Sequence, residues 1–154
     1  MRIRYMLLGL LWFACVAPPR PETFQKDKVV NYPFDETWSA IVEALAEEEW
    51  PIESIEKESG LITTRFVNIG KGGNNYADCG STIFGKAERS DFRCKLNVFA
   101  RPIQNNNTNV RINIHIEGWT GTWASSNGDW EICNSTGKYE ERLFSRILTI
   151  LKQY

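Results

Sequence analysis

The sequence predicts an α+β domain, with an antiparallel sheet and two helices on one face of it, in the order β-α-β-β-β-β-α. Three observations predict this class. Two segments, near residues 34–49 and 135–154, carry apolar residues at helical spacing. Residues 91–101 and 109–117 alternate apolar and polar residues, which is typical of strands with one buried face. Turn-forming residues separate these segments, and both apolar helix stripes need the buried sheet face as cover.

Length and composition indicate one ordinary globular domain. The chain has 154 residues, of which 42% are hydrophobic and 24% charged. Its formal net charge of -1 offers no basic surface for nucleic acid and no polybasic membrane patch. We therefore expect no nucleic-acid partner.

The first residues have the pattern of a bacterial export signal. Arg2 and Arg4 precede an apolar run, residues 6–14, which is too short to span a bilayer as a helix. Ala14 followed by Cys15 resembles the lipobox of bacterial lipoproteins. This resemblance implies a signal peptide at residues 1–14 and a diacylglyceryl lipid on Cys15.

Such a lipid would attach the protein to a membrane, and the outer membrane, on its periplasmic side, is the expected location. Secretory cleavage near Ala17 and an uncleaved anchor remain as alternatives. The proline-rich residues that follow predict a tether, at 15–27, before a single domain at 28–154.

The domain opens with a predicted strand and helix. Residues 28–32 are β-prone, and Pro33 ends them. Asp35 and Glu36 suit the first turn of a helix over residues 34–49, which Trp50-Pro51 ends. Its apolar stripe consists of Phe34, Trp38, Ile41, Val42 and Leu45.

Residues 51–57 and 60–67 predict a hairpin around Glu58-Ser59-Gly60. Ile52 and Ile55 are out of phase for a regular strand, which indicates a bulge. In the second arm Ile62, Thr64 and Phe66 are predicted to share one face.

The two most regular strands follow a loop-rich segment at residues 68–90. They are separated by a predicted turn at residues 102–107. One face of the pair is apolar and the other is polar. The apolar set is Phe92, Cys94, Leu96, Val98, Ala100, Val110, Ile112, Ile114 and Ile116, and the polar set includes Arg111, Asn113, His115 and Glu117.

The last predicted elements are a loop and a helix. Residues 118–130 are rich in Gly, Ser and Thr and carry three tryptophans, Trp119, Trp123 and Trp130. These rings suit contacts with a partner, or they plug the edge of the core beneath the loop. A helix is predicted to start near Ser135-Thr136, with a stripe of Leu143, Phe144, Ile147, Leu148, Leu151 and Tyr154.

The cysteines allow one bridge if Cys15 carries lipid. Cys94 lies on the predicted inward face, where a free thiol behaves as a small apolar group. Cys79 and Cys133 lie in turn-like surroundings, so Cys79–Cys133 is the predicted disulfide, with Cys79–Cys94 as the rival.

No pattern predicts catalysis, a metal or a cofactor. The cysteines lack the short spacing of zinc sites. His115 is the only histidine, and it lies in mid-strand among alternating residues, where a solvated side chain is the simpler interpretation.

The stretch from Val29 to Val67 resembles the helix-grip domains of the BamC-like envelope lipoproteins. The motifs that carry the resemblance are YPFDETW at the helix start, WPI at its end and ESGLITT in the hairpin, with CNSTGKYE before the closing helix. The resemblance implies a helix-grip-like fold and an envelope location, and it brings no active site.

These observations lead to two expected functions. The first is a non-enzymatic, lipid-anchored module that docks an envelope protein through its polar sheet face or its tryptophan-bearing loop. The second is binding of a small molecule or lipid in a cavity between the C-terminal helix and the sheet. A void under Phe144, Ile147 and Leu151 would favour the second.

Overall fold

The computed structural model describes residues 17–82, 85–87, 89–121 and 127–153. The predicted signal peptide (residues 1–14), Cys15, Trp123 and Tyr154 lie outside these ranges. The predicted α+β class is confirmed: an open antiparallel sheet of eight strands carries two main helices.

A long central hairpin organises the sheet. Strands β8 (Phe92–Ile103) and β9 (Asn107–Trp119) pair along their whole length. The turn between them is shorter than predicted, because Asn105 and Asn106 adopt left-handed backbone conformations that asparagine tolerates. The predicted alternation is confirmed, since every residue of the apolar set is at most 8% exposed.

Shorter strands complete each side of this hairpin. On the β8 side lie β3 (Leu61–Thr64), β4 (Val67–Asn68) and then β2 (Ile52–Glu56), which pairs with β3. On the β9 side lie β1 (Asp27–Val30), β10 (Trp130–Ser135) and then β5 (Ala77–Asp78), which pairs with β10. Strands β6 (Ser81–Thr82) and β7 (Gly85–Lys86) form a separate ribbon.

The β2–β3 hairpin has the predicted bulge, where the pairing register shifts between Ile52 and Ser54. Its turn brings Gly60 against β8: the Ala100 N–H donates to the Gly60 carbonyl at 2.9 Å. The φ of Gly60 is 69°, and a Cβ there would lie 2.0 Å from the Ala100 oxygen, so the turn requires glycine.

One prediction for this hairpin is wrong. Ile62 and Thr64 are buried as expected, but Phe66 is 38% exposed. Strand β3 ends at Thr64, so Phe66 no longer follows its alternation.

Helix α1 (Phe34–Glu47) follows Pro33, with Asp35 and Glu36 in its first turn as predicted. It stops two residues earlier than expected, and Glu49 has a left-handed φ of 57° where glycine or asparagine is usual. Of the predicted stripe, Trp38, Ile41 and Leu45 are buried, while Phe34 and Val42 are partly buried.

Strand β10 is not predicted by the sequence pattern. Residues 118–130 were expected to continue the preceding strand and then form a loop, and β9 does continue to Trp119. The closing helix was expected to start near Ser135, whereas residues 130–135 form a strand and α2 runs over Lys138–Leu151. The signal was weak because polar residues interrupt this short strand.

Ser135 still organises the helix start. Its hydroxyl accepts from the Gly137 N–H at 3.1 Å and donates to the Glu140 carboxylate at 2.8 Å. Burial raises the pKa of Glu140.

Both helices cover the same sheet face. The buried residues of α1 and α2 join the apolar face of β8 and β9 in one core cluster. In α2 these are Tyr139, Leu143, Ile147, Ile150 and Leu151. No helix in the described part of the chain is long and apolar enough to cross a membrane.

The segment predicted as a tether lies against the domain. Residues 17–26 form no helix or strand, and Ala17 makes an isolated bridge with Ser81. The Asn134 side chain donates to the Arg20 carbonyl at 2.6 Å, and Phe24 packs at Gly137.

The predicted disulfide is confirmed. Cys79 and Cys133 are bonded, with their Cα atoms 4.4 Å apart, and Cys94 is free and buried. The rival pairing is therefore wrong. The bond links the loop after β5 to β10. These two short strands pair at only two positions, so few strand hydrogen bonds hold them together.

We expect the double substitution Cys79→Ser and Cys133→Ser to lower the free energy of unfolding by about 4 kcal/mol. Without the bridge, the unfolded chain regains the entropy of a loop with a sequence separation of 54 residues. Urea unfolding with and without a thiol reductant measures this. The reductant should destabilise the native chain and leave the double variant unchanged; a loss below about 1 kcal/mol would show that the bond contributes little.

Candidate functional site

The sheet face opposite the helices carries most of the exposed large apolar side chains. Five such side chains are found among the described residues, and four of them lie on this face: Val29, Phe66, Ile103 and Ile132. Ile55 is the exception, because it pairs with Ile62 on the helix side. We call this surface the open face.

A cation–aromatic cluster lies at one end of the open face. The guanidinium of Arg93 stacks 4.5 Å from the Trp130 ring centroid and 4.8 Å from that of Phe66. Lys95 lies 5.1 Å from the same Phe66 ring. Phe66 lies beyond the end of β3, and its ring contacts two cationic side chains of the neighbouring strand β8.

Glu117 holds this cluster in place. Its carboxylate accepts from Arg93 Nε at 2.6 Å and lies 2.9 Å from His115 Nε2. Desolvation opposes ionisation, but the hydrogen bonds from His115 and Arg93 prevail and lower the pKa of Glu117. His115 also contacts the Phe66 ring edge-on, at 5.7 Å between centroids.

Two of the three predicted contact tryptophans meet here. Trp119 and Trp130 are paired across β9 and β10, with ring centroids 5.4 Å apart. A Cβ at Gly121 or Gly128 would lie within 3 Å of the Trp119 ring. Trp119 is thus packed between the Trp130 ring and glycine backbone on the open face, and both rings are partly exposed.

A polar depression of about 330 Å³ lies further along the open face. Asn97 and Asn113 face each other across β8 and β9, next to the ion pair of Asp27 with Arg111. The hydrogen bonds from Arg111 are the main cause that lowers the pKa of Asp27. The open face therefore combines an aromatic end and an amide-rich middle.

A second concave site lies on the other side of the sheet. A groove of about 700 Å³ opens between the end of α1, the start of α2 and the sheet, and we call it the aromatic groove. Its lining comprises Glu48, Glu49, Trp50, Val67, Ile69, Tyr76, Cys94, Ile114, Tyr139 and Arg142.

Tyr139 is the centre of the aromatic groove. It accepts from Trp50 Nε1 at 2.5 Å and donates to the Glu48 carboxylate. Burial, reinforced by the neighbouring Glu48, raises its pKa well above the ordinary value, so the phenol stays protonated. Arg142 stacks 4.7 Å from the Tyr139 ring centroid and pairs with Glu48 at 3.3 Å.

Cys94 lies on the sheet side of this groove. Burial raises the pKa of its thiol to about 12, so at neutral pH it is a protonated apolar surface and a poor nucleophile. Ile147 and Leu151 are fully buried in the core and Phe144 packs against it. The space under these three residues is therefore filled, which favours docking over a ligand at that position. The aromatic groove opens instead at the first turn of α2.

The remaining polar groups do not form a metal site within the described ranges, where no three His, Cys, Asp or Glu side chains converge. Comparison with known proteins gives no further guide, because neither a protein-family model nor a curated protein matches the chain.

Sequence reasoning missed the aromatic groove and Ile132. Trp50, Tyr76 and Tyr139 are far apart in sequence, and each sits in a different kind of segment. Ile132 belongs to β10, which was not predicted, so the sequence did not indicate that its side chain lies on the open face. One available signal was that each of the three aromatic residues lies close to the end of a helix or strand.

We expect Glu117→Gln to lower the free energy of unfolding by about 1–2 kcal/mol near neutral pH, because Arg93 loses its carboxylate partner. The pKa of Glu117 is below its ordinary 4.5. The stabilisation is therefore present above that value and is lost as the pH falls through the lowered pKa. Urea unfolding at about pH 7 and pH 2 measures the difference, which should vanish in acid.

Glu131→Gln is the matched control, since the Glu131 side chain is 56% exposed whereas that of Glu117 is 14% exposed. The loss of its ion pair with Arg89 should therefore cost less than about 1 kcal/mol. Equal losses from both variants, or a Glu117→Gln loss that persists in acid, would contradict the role assigned to Glu117.

Proposed function

We propose that this protein is a non-catalytic binding module of the bacterial envelope that docks a partner protein on its open face. A lipid on Cys15 anchors it at the periplasmic side of the outer membrane. The observation that carries the docking proposal is the one-sided distribution of exposed apolar side chains, four of which lie opposite the helices.

The chemistry of the open face suits a protein partner. Ile132 is 67% exposed and Val29 is 56% exposed, and burying such a side chain fully contributes about 1.5–3 kcal/mol. Trp130, Phe66 and Arg93 are the residue types that dominate interfaces, and here their stacking already holds them in place. Less conformational entropy is then lost on binding.

The anchor proposal is supported by the signal-like pattern of residues 2–15. The fold implies how close to the membrane the domain would then lie. Ala17 pairs with Ser81, so only Val16 separates the paired residue from Cys15. Two residues span at most about 7 Å. A lipid on Cys15 would therefore hold the domain against the membrane surface and raise its local concentration there.

The likeness to the BamC-like lipoproteins agrees with this role. The resemblance rests on the sequence motifs of residues 29–67, and a helix-grip arrangement is what it implies. The proposal extends that likeness to the compartment and to a docking function, without an enzymatic activity.

We expect a photocrosslinking side chain at Ile132 to capture one envelope protein, because this position would be buried in the interface. The full chain carries the crosslinker in a Gram-negative envelope, and adducts are resolved by mass. Ile55 is the matched control, since it is 47% exposed on the helix side. The same adduct is expected from Val29 and not from Ile55.

Adducts that form equally from Ile132 and Ile55, or from neither, would contradict docking on the open face. The purified protein also gives the mass of the mature N-terminus. A diacylglyceryl group on Cys15 supports the anchor, while an unmodified N-terminus at any other residue contradicts it.

The aromatic groove favours a second candidate function, the binding of a small ligand. It has a volume within the range of ligand sites, a mostly apolar and aromatic lining, and a few convergent polar groups. It lies between the C-terminal helix and the sheet, where the alternative function requires a cavity.

A further inference from the structure

The aromatic groove has the components of a cation-binding site. Trp50 and Tyr76 each meet Tyr139 edge-on, with centroids 5.6 Å and 5.9 Å apart. The faces of aromatic rings carry negative potential, and several rings around one space attract a positive charge. Trp has the strongest such face, and the Trp50 ring holds no cation among the described residues.

The charges of the groove add to this attraction. Glu48 and Glu49 contribute two carboxylates, and Arg142 contributes the one opposing charge. Glu48 is paired with Arg142, whereas Glu49 makes no ion pair with another described residue. The groove therefore retains one uncompensated negative charge beside Trp50.

The chain itself shows that these groups accept a cation. The guanidinium of Arg142 lies 4.7 Å from the Tyr139 centroid and 5.9 Å from that of Tyr76. It also donates to Tyr76 Oη at 3.4 Å. Arg142 is 55% exposed, so it lies at the solvent side of the groove.

We propose that the aromatic groove binds a small organic cation of the alkylammonium class. The ammonium group lies against Trp50 with Glu49 as its counter-charge, and its carbon substituents face Val67, Ile69 and Ile114. This inference rests on the second candidate function and is independent of docking on the open face.

The apolar floor selects the class of cation. A metal ion or a bare ammonium needs oxygen ligands or water for its remaining coordination, whereas most of this lining is carbon. An alkylated ammonium is weakly hydrated and presents methyl groups, which suit both the rings and the aliphatic residues. Amphipathic anions are disfavoured because Glu48 and Glu49 stand at the rim.

The test is titration of the purified protein with choline, followed by the NMR signal of the Trp50 indole N–H. The neutral isostere 3,3-dimethylbutan-1-ol, which has the same shape without the charge, is the comparison ligand. We expect choline to bind at least tenfold more tightly, since only its positive charge is attracted electrostatically to the ring faces and to Glu49.

Phosphocholine is added as a third ligand to distinguish the two sources of this chemistry. Tighter binding of choline assigns the site to a free amine, and tighter binding of phosphocholine assigns it to a lipid headgroup; both support an alkylammonium ligand. Equal binding of choline and its neutral isostere would support the groove as a ligand site and contradict its preference for a cation. The absence of binding by all three would contradict both the cation site and the small-ligand function, and would leave docking on the open face unaffected.

Two variants locate the site. Trp50→Leu should weaken choline binding at least tenfold, and Glu49→Gln should weaken it roughly threefold. Glu58→Gln removes the same charge outside the groove, in the hairpin turn, and should leave binding unchanged. A loss with Glu58→Gln equal to that with Glu49→Gln would show a general charge effect and contradict the site.

Arg142→Gln provides a result that a merely structural role would not give. It removes a like charge from the groove and leaves Glu48 without its cationic partner, so choline should bind more tightly, by roughly threefold or more. Weaker binding in this variant, with a native NMR spectrum, would contradict the proposal that the groove attracts a cation.

Discussion

The pairing of β8 with β9 is the constraint on which the rest of the structure depends. Twelve consecutive pairs join these two strands, and their strict alternation gives the hairpin one apolar and one polar side. Both helices must cover the apolar side, because only there can Leu45 and Leu143 be removed from water. The other side has no element of the described chain left to cover it.

This division explains where the two candidate sites lie. The open face is left uncovered because both helices pack on the other side of the sheet. The apolar residues on it therefore do not contribute to the core. The aromatic groove forms where the helical layer is incomplete, at the end of α1 and the start of α2. Helix α1 ends there with Glu49 in a left-handed backbone conformation, and Tyr139 fills only part of the gap. Two distinct surfaces therefore arise from one layered arrangement.

The parts of the fold that the sequence could predict are those with a repeating pattern. Alternation in β8 and β9, helical spacing in α1 and α2, the bulge near Ile52 and the Cys79–Cys133 bond all follow from local rules or from simple elimination. The strand β10 was missed because six residues with polar members carry too little periodic signal. Phe66 was misplaced because a tertiary contact, the stacking on Arg93, overrides the alternation that precedes it.

The sites were harder to predict than the elements for the same physical reason. The aromatic groove joins residues 48–50, 76 and 139–142, and only the packing of α2 against α1 brings them together. Trp119 and Trp130 were identified from their loop context, but their pairing required knowledge of β10. Exposure on a face is a property of the assembled sheet, and a sequence shows it only where every strand is recognised.

The central claim is that the open face is bare in the isolated protein. A soluble paramagnetic agent added to protein labelled at isoleucine methyl groups tests this most directly, because relaxation reports how closely the agent approaches each methyl. The account predicts strong relaxation at Ile132 and Ile103 and little at Ile112 and Ile116, which lie on the opposite side of the same sheet. Protection of Ile132 and Ile103 to the level of Ile116 would show that the face is already covered and would contradict its availability to a partner.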